Sequence, residues 1–270
     1  MLNYSIIVDC PDEYLDILNI FFFFLEKNWK NRTQTIYVTT QESEIEHPDN
    51  VIFVKCGNKA NSIQRALNAL QLINDEYVLI LNSDDFIGKK INDEIIDQLL
   101  QYAINNDIKY VRVWKSKNRE QKKYKTKLKG LYYCNKKARY SKSLMANFWK
   151  KEEFLNLFKG NSIDGWTIEG EWLKDTLLES PGYYDSYCYC SVNPFNIVHP
   201  VSKGKWIRKA YRFCIKNKVS KELLSYRQKL SLKDTFKANI SNYLSNNFSS
   251  STCYKLKKLT SKFVKYTNKF

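Results

Sequence analysis

The chain has 270 residues, enough to bury a large core as one domain or as one domain with an appendage. Its formal charge of +16 sits at one end: residues 201–270 hold 18 of the 44 Lys and Arg and only Glu222 and Asp234 of the 28 acids, which leaves residues 1–200 neutral. This excludes a protein that is basic throughout and implies that the end meets something anionic, either a membrane surface or nucleic acid.

In chain order, strands alternate with helices. Tyr4 to Val8 reads as a first strand, ending at Asp9-Cys10-Pro11-Asp12, and Asp12 is placed to cap a helix from about Glu13 to Asn28. Within that helix the run Ile17 to Leu25, with four consecutive Phe, is shorter than the roughly 20 apolar residues of a membrane span, so it is expected in the core. Thr35 to Thr39 and Val51 to Val54 are the next strands. Asn61-Ser62 opens a helix through Arg65, Leu67, Leu70 and Ile73. The strand Tyr77 to Leu81 has the unbroken apolar character of one buried on both faces. A helix with Ile91, Ile95, Leu99 and Tyr102 and a strand from Tyr110 to Trp114 follow. Lys115 to Lys129 reads as a polar, basic loop, and Tyr140 to Trp149 as the approach to a helix from Lys150 to Phe158. This order predicts an α/β fold, with an open, mostly parallel sheet covered by helices.

Two stretches carry candidate chemistry. After the central strand, Asn82 and Ser83 favour leaving the ladder, and Asp84 and Asp85 fall at its carboxyl end, where open α/β sheets bind ligands. Adjacent carboxylates there suit a hard divalent cation shared with a substrate phosphate; a solvated Asp-Asp turn is the alternative. Ser162 to Trp172 carries a carboxylate every few residues together with Trp166 and Trp172. It suits either a sugar-binding cleft or the start of an amphipathic helix with its Trp in the core.

The seven cysteines are irregularly spaced without a C-x-x-C pair, as in a reducing compartment. Met1 to Asp9 has neither a basic n-region nor a cleavage pattern, so no targeting signal is expected. At the basic end, Leu256, Leu259, Phe263, Tyr266 and Phe270 recur at helical spacing beside Lys255, Lys258, Lys262, Lys265 and Lys269. Trp206, Ala210 and Phe213, with Lys205, Arg208, Lys209 and Arg212, form a shorter version. Such helices lie in the headgroup plane of anionic membranes, or pack on their own domain with solvated lysines.

Several pieces, in this order, resemble a bacterial GT-A-type glycosyltransferase of surface-polysaccharide (capsule or lipopolysaccharide) biosynthesis. They are the first strand with Phe21 to Trp29, Tyr77 to Phe86, Tyr140 to Leu144 running to Phe148-Trp149-Lys150-Lys151, Trp166-Thr167-Ile168-Glu169, and Val198 to Trp206. The resemblance covers about residues 1–210. It implies a GT-A-like, Rossmann-type catalytic domain over 1–210 and a basic helical C-terminal extension over 211–270, a possible membrane-surface anchor. It further implies transfer of a sugar from a nucleotide-sugar donor to a hydroxyl of a glycan or lipid-linked acceptor, with Mn²⁺ or Mg²⁺ as cofactor.

Residue by residue, the family's acidic motif corresponds to Asn82-Ser83-Asp84-Asp85, with Asn82 standing where its first Asp would be. The resemblance makes Asp84, Asp85 and His199 metal ligands, Lys203 and Lys205 neutralisers of diphosphate oxygens, and Asp9 a nucleoside contact. Glu169, with Glu171 and Asp164 as substitutes, is the base for the acceptor hydroxyl, and Asp85 counts with it as catalytic. The implied location is cytoplasmic, peripheral on the inner face of the cytoplasmic membrane, held by the basic C-terminal helix, with no nucleic acid as partner. Two rivals remain: a metal-dependent, nucleic-acid-binding phosphotransferase or nuclease, which the neutral body disfavours, and a catalytically silent sugar-nucleotide-binding protein, to which Asn82 points.

Overall fold

A computed structural model describes residues 2–114, 123–138, 140–160 and 163–248, together with Thr252 and Lys255. The chain opens with β1 (Ser5–Asp9), a short 3₁₀ turn over Asp12–Tyr14 and α1 (Leu15–Asn28). Next come β2 (Ile36–Thr40), β3 (Val51–Lys55), α2 (Ser62–Leu70) and β4 (Tyr77–Asn82). Asn61 begins α2 with a capping box, its side chain accepting from the Gln64 amide while Gln64 returns a bond to the Asn61 amide. The middle of the chain holds β5 (Phe86–Ile87), α3 (Asp93–Asn105), β6 (Tyr110–Arg112), β7 (Leu131–Asn135) and β8 (Asn147–Lys150). After α4 (Lys151–Phe158), α5 (Gly165–Leu178) and β9 (Tyr183–Cys190) come the short β10 (Ile197–Val198), β11 (Val201–Ser202) and β12 (Lys205–Trp206). Three helices follow, α6 (Arg208–Lys216), α7 (Lys221–Ser225) and α8 (Leu232–Asn247).

Eight strands form one sheet in the order β3-β2-β1-β4-β8-β6-β9-β7. The first four are parallel, which is the order of a Rossmann-type half. The expected α/β class, a Rossmann-type, mostly parallel sheet flanked by helices, is the one observed. Side chains alternate between its two faces with period two. Ile6, Val8, Leu79 and Leu81 belong to the cluster under α1, while Ile7, Val78 and Ile80 belong to the one under α2 and α4.

The sheet differs from expectation at β8, which inserts antiparallel between β4 and β6. Phe148 and Trp149 enter opposite clusters, and a four-residue strand is too short for that alternation to declare itself in sequence. The Phe-rich stretch is core, as expected: Phe21, Phe22 and Phe24 are buried and Phe23 alone faces outward. Of the basic loop from Lys115 to Lys129, residues 115–122 lie outside the described residues.

The core does not stop at residue 210. Phe213 stacks on Phe24 with ring centroids 5.0 Å apart, Cys214, Val219 and Leu224 join the α1 cluster, and Trp206 is fully buried with its Nε1 donating to the Leu224 carbonyl at 3.1 Å. The face formed by Trp206, Ala210 and Phe213 therefore packs inward, which corrects its reading as a membrane-facing stripe. Arg227 clamps both oxygens of Asp16 at 2.7 Å and so ties the segment after α7 to α1. By contrast, α8 buries no side chain among the described residues, and Leu232, Phe236, Ile240 and Tyr243 on it are all exposed. The amphipathic helix expected over 251–270 lies, apart from Thr252 and Lys255, outside the described residues. No described helix is long and apolar enough to cross a membrane.

Trp206→Ala removes the largest side chain joining α6 and α7 to α1. We expect a loss of about 3–5 kcal/mol in urea unfolding. A loss below about 1 kcal/mol contradicts this packing role.

Candidate active site

The parallel strands β1, β2 and β4 end on the same edge of the sheet, and the register aligns Asp9 with both Thr39 and Asn82. Asp9 is fixed by a bidentate pair with Arg65, Nε to Oδ1 at 2.7 Å and Nη2 to Oδ2 at 2.9 Å, and it also accepts from the Thr39 hydroxyl at 3.2 Å. Its carbonyl accepts from the Ser83 amide at 2.9 Å, so the same residue steers the chain as it leaves β4.

The turn after β4 closes on itself. The Asn82 amide donates to Asp85 Oδ2 and the Asp85 amide to the Asn82 carbonyl, both at 2.9 Å. Asp85 is completely buried, and its Oδ1 lies 3.1 Å from His199 Nδ1. That distance makes an ion pair, but it lies off the hydrogen-bond line, so Oδ1 keeps an unfilled acceptor. Asp84 is half-buried beside them. Burial, and then the charge of Asp85, lift its carboxyl to about 7, with His199 pulling the other way. Burial alone would lower His199, yet the contact with Asp85 and the charge of Asp84 raise it.

This donor set fits a divalent cation. Among the described residues no three His, Cys, Asp or Glu side chains are arranged to hold a metal by themselves. A Mg²⁺-type ion keeps its waters and shares one or two protein ligands with substrate phosphates, so it needs no closed cage. Asp84 is the carboxylate presented outward. Asp85 holds Nδ1 of His199 from behind, the usual way a carboxylate orients a metal-binding imidazole.

His199 reaches β4 because β10 pairs antiparallel with β5, Val198 opposite Phe86. Gly88 permits that approach: a Cβ there would stand 2.7 Å from the Asn196 carbonyl oxygen and 2.8 Å from Val198 Cγ2. Beyond His199, β11 and β12 form a hairpin whose two-residue turn, Lys203 and Gly204, has φ of +53° and +70°. Positive values at both positions define a type I′ turn. The turn presents Lys203 and Lys205 on one wall of an open cleft of about 560 Å³, with Asp12, Glu13 and Asp16 opposite and Arg227 between. Tyr14 joins this cleft to the acidic turn. Its ring lies 4.4 Å under the Arg227 guanidinium, and its hydroxyl is raised first by burial and then by Asp84.

Glu169 lies on α5 against the loop that enters β8, the strand beside β4. Its Oε1 accepts from the Ser143 hydroxyl at 2.8 Å and the Leu144 amide at 2.5 Å. Burial raises its carboxyl, and these two donors oppose the rise. Of the alternatives, Asp164 is spent capping α5 through the Thr167 amide and hydroxyl, and Glu171 faces solvent. Gly165 lets the start of α5 approach, since a Cβ there would stand 2.9 Å from both Leu144 Cδ1 and Ser62 Oγ. Trp166 is 86% exposed, whereas Trp172 packs on Phe158.

The structure thus gathers Asp84, Asp85 and His199, sets Lys203 and Lys205 along an adjoining cleft, and anchors Asp9 to Arg65. Sequence reasoning missed the partners Arg65, Tyr14 and Ser143. Of these, only Arg65, a charge within the apolar spacing of α2, left a trace.

No family model matches the chain, and no curated protein matches it. Among solved structures, a cytidylyltransferase from Leptospira borgpetersenii serovar Hardjo-bovis aligns over 100% of both chains at 13% identity, with a TM-score of 0.46. The galactosyltransferase LgtC in complex with donor and acceptor sugar analogs aligns over 86% of this chain and 99% of that one at 14% identity, TM-score 0.45. S. aureus TarS 1-349 in complex with UDP-GlcNAc aligns over 97% and 78% at 14% identity, TM-score 0.44. At TM-scores below one half, no residue correspondence or activity is transferred from them.

Two outcomes follow from this geometry. Asp84 and His199 both bind a proton more tightly folded than unfolded. Without divalent ions, stability therefore falls as pH rises, from about 4 to about 7 for Asp84 and above about 6.5 for His199. Asp84→Asn should flatten the lower part of that profile in denaturant titrations; an unchanged slope contradicts the shift. Gly88→Ala should cost about 1–3 kcal/mol by overpacking. It should also displace His199, visible as a changed imidazole resonance, and a silent substitution contradicts the close approach of β5 and β10.

Proposed function

We propose that the protein is a glycosyltransferase of bacterial surface-polysaccharide synthesis, moving a sugar from a nucleotide-sugar donor to a hydroxyl of a glycan or lipid-linked acceptor. The observation that carries this reading is the Asp84–Asp85–His199 cluster at the carboxyl edge of β4, beside the cleft lined by Lys203 and Lys205. A carboxyl raised by burial and then by its like-charged neighbour is relieved by a cation, and a cation with two lysines matches a diphosphate.

In this reading the acceptor oxygen bonds to the anomeric carbon, the bond from that carbon to the phosphate oxygen breaks, and the nucleoside diphosphate leaves with the electron pair. Mn²⁺ or Mg²⁺, when bound, supplies charge neutralisation at the leaving diphosphate. Asp84 and the outer nitrogen of His199 would hold it, and Asp85 keeps the imidazole oriented. Lys203 and Lys205 attract the diphosphate oxygens. Asp9, held by Arg65, sets the floor on which the nucleoside rests. Glu169 takes the acceptor proton, and the burial that raises its carboxyl makes it the stronger base for that exchange. The exposed face of Trp166 is available to a sugar ring.

The charge of the C-terminal segment and the exposed apolar side chains of α8 support a peripheral site on the inner face of the cytoplasmic membrane. Each lysine near an anionic surface contributes roughly 1 kcal/mol, which salt screens. Full-length protein should therefore co-sediment with anionic vesicles at low salt and be released at high salt, and a chain ending at residue 230 should not. Equal sedimentation of both removes the membrane role.

Transfer is tested with a panel of nucleotide sugars and Mn²⁺ or Mg²⁺. Asp84→Ala and His199→Ala should abolish turnover, and Glu169→Gln should lower kcat by about 10²–10⁴. Turnover near wild type in all three would falsify the site.

A further inference from the structure

One indole away from His199 lies a cation with no counter-charge among the described residues. Arg112 ends β6 and is completely buried. Among the described residues its contacts are neutral. Nη1 donates to the Tyr140 carbonyl, and the guanidinium carbon sits 5.0 Å from the Trp114 ring and 5.3 Å from the Tyr189 ring. Nε and Nη2 have no hydrogen-bond partner. The same two rings carry further buried donors without an acceptor, Trp114 Nε1 and the Tyr189 hydroxyl. The unfilled acceptor nearby is neutral: Oδ1 of Asn147, which pairs with Arg112 across β6 and β8. A buried charge is tolerated when it is paired, and unpaired donors of this kind call for an anion.

Trp114 also meets the His199 ring edge-on, with centroids 6.1 Å apart. One indole therefore separates the guanidinium from the cluster assigned to the donor diphosphate, while Lys203 and Lys205 line a cleft to which neither Arg112 nor Trp114 contributes. We propose that Arg112 recognises an anionic group of the acceptor, a phosphate or carboxylate bound as a fork by Nε and Nη2 with Trp114 Nε1 and the Tyr189 hydroxyl beside it. This rests on the glycosyltransferase reading and adds to it that the acceptor is acidic.

The Tyr140 carbonyl holds the remaining nitrogen, Nη1, of a guanidinium that has no exposed surface. Tyr140 and Ala146, which bracket this stretch, hold φ of +57° and +32°, values that L residues adopt only at a cost. Because Arg112 is completely buried, an anion reaches Nε and Nη2 only when the surrounding stretch opens, so its binding shifts the population toward that open form.

The test uses the full-length chain without metal. Thermal unfolding is followed in inorganic phosphate, in acetate and in chloride at matched ionic strength, for wild type, Arg112→Met and a Lys203→Ala, Lys205→Ala double variant. Phosphate or acetate, according to which acidic group is recognised, should raise Tm in the wild type and in the double variant. In Arg112→Met the apparent affinity should fall about tenfold or more, as for loss of charge-assisted hydrogen bonds. Arg112→Met itself should unfold at or above the wild-type temperature, because it removes an uncompensated buried charge. No anion effect in the wild type, an effect indifferent to residue 112, or a markedly lower Tm for Arg112→Met overturns the proposal. The same proteins with UDP and Mn²⁺, free of phosphate, separate the two readings. Failure of the donor assignment leaves every variant unstabilised by the nucleotide, whereas failure at Arg112 leaves nucleotide stabilisation intact.

Discussion

Asp85 is a carboxylate with no exposed surface at the point where β4 leaves the sheet. Burying such a group is costly unless it is partnered, and it is held from two directions: by a hydrogen bond from the amide of Asn82 three residues earlier and by an ion pair with the imidazole of His199, far along the chain. The hydrogen bond shapes the turn that holds Asp84 outward. The ion pair fixes where the chain after β9 must return. Once His199 is held there, the β11–β12 hairpin follows within a few residues, and its type I′ turn carries Lys203 and Lys205 to the mouth of the same edge. The position of the site's last segment thus follows from the need of one buried carboxylate for partners.

The rest of the fold serves that arrangement. The apolar alternation of β1 and β4 gives the sheet two covered faces, so their ends form a rigid edge. Gly88 and Gly165 matter because each permits an approach that a methyl group would block, one bringing β10 to β5 and the other bringing α5 to the loop before β8. Trp206 and Phe213 then fasten the return segment onto α1. The result sets Asp84, His199 and Glu169 along the edge formed by β4 and β8, on elements with dense cores behind them, which is what a pre-organised site requires.

The sheet's parallel half, the helices α1 to α4 and the acidic turn were legible in the sequence, because long apolar runs and period-two alternation announce themselves. The Asp84-Asp85 step was legible for the same reason: two carboxylates directly after a buried run have few structural uses. What stayed hidden was set by pairing over long distances. β8 is four residues long, and β9, tyrosine- and cysteine-rich, carries no simple alternation. That Arg65 locks Asp9, and that Arg112 lies buried with no counter-charge among the described residues, depends on which strand ends meet. The Trp206–Ala210–Phe213 stripe shows the converse limit. Ala210 and Phe213 do lie on α6, but Trp206 belongs to β12, and spacing alone does not tell whether an apolar face meets lipid or its own core.

The central claim is that the acidic turn and His199 form one cation site completed by a nucleoside diphosphate. Its most direct test is an equilibrium titration of Mn²⁺, followed by electron paramagnetic resonance, with and without UDP, GDP or CDP. Wild-type protein should bind Mn²⁺ weakly alone and at least about tenfold more tightly with one of these nucleotides, a coupling of roughly 1.4 kcal/mol. The enhancement should vanish in Asp84→Asn. Mn²⁺ affinity that ignores every nucleotide, or an enhancement that survives Asp84→Asn, would contradict the account.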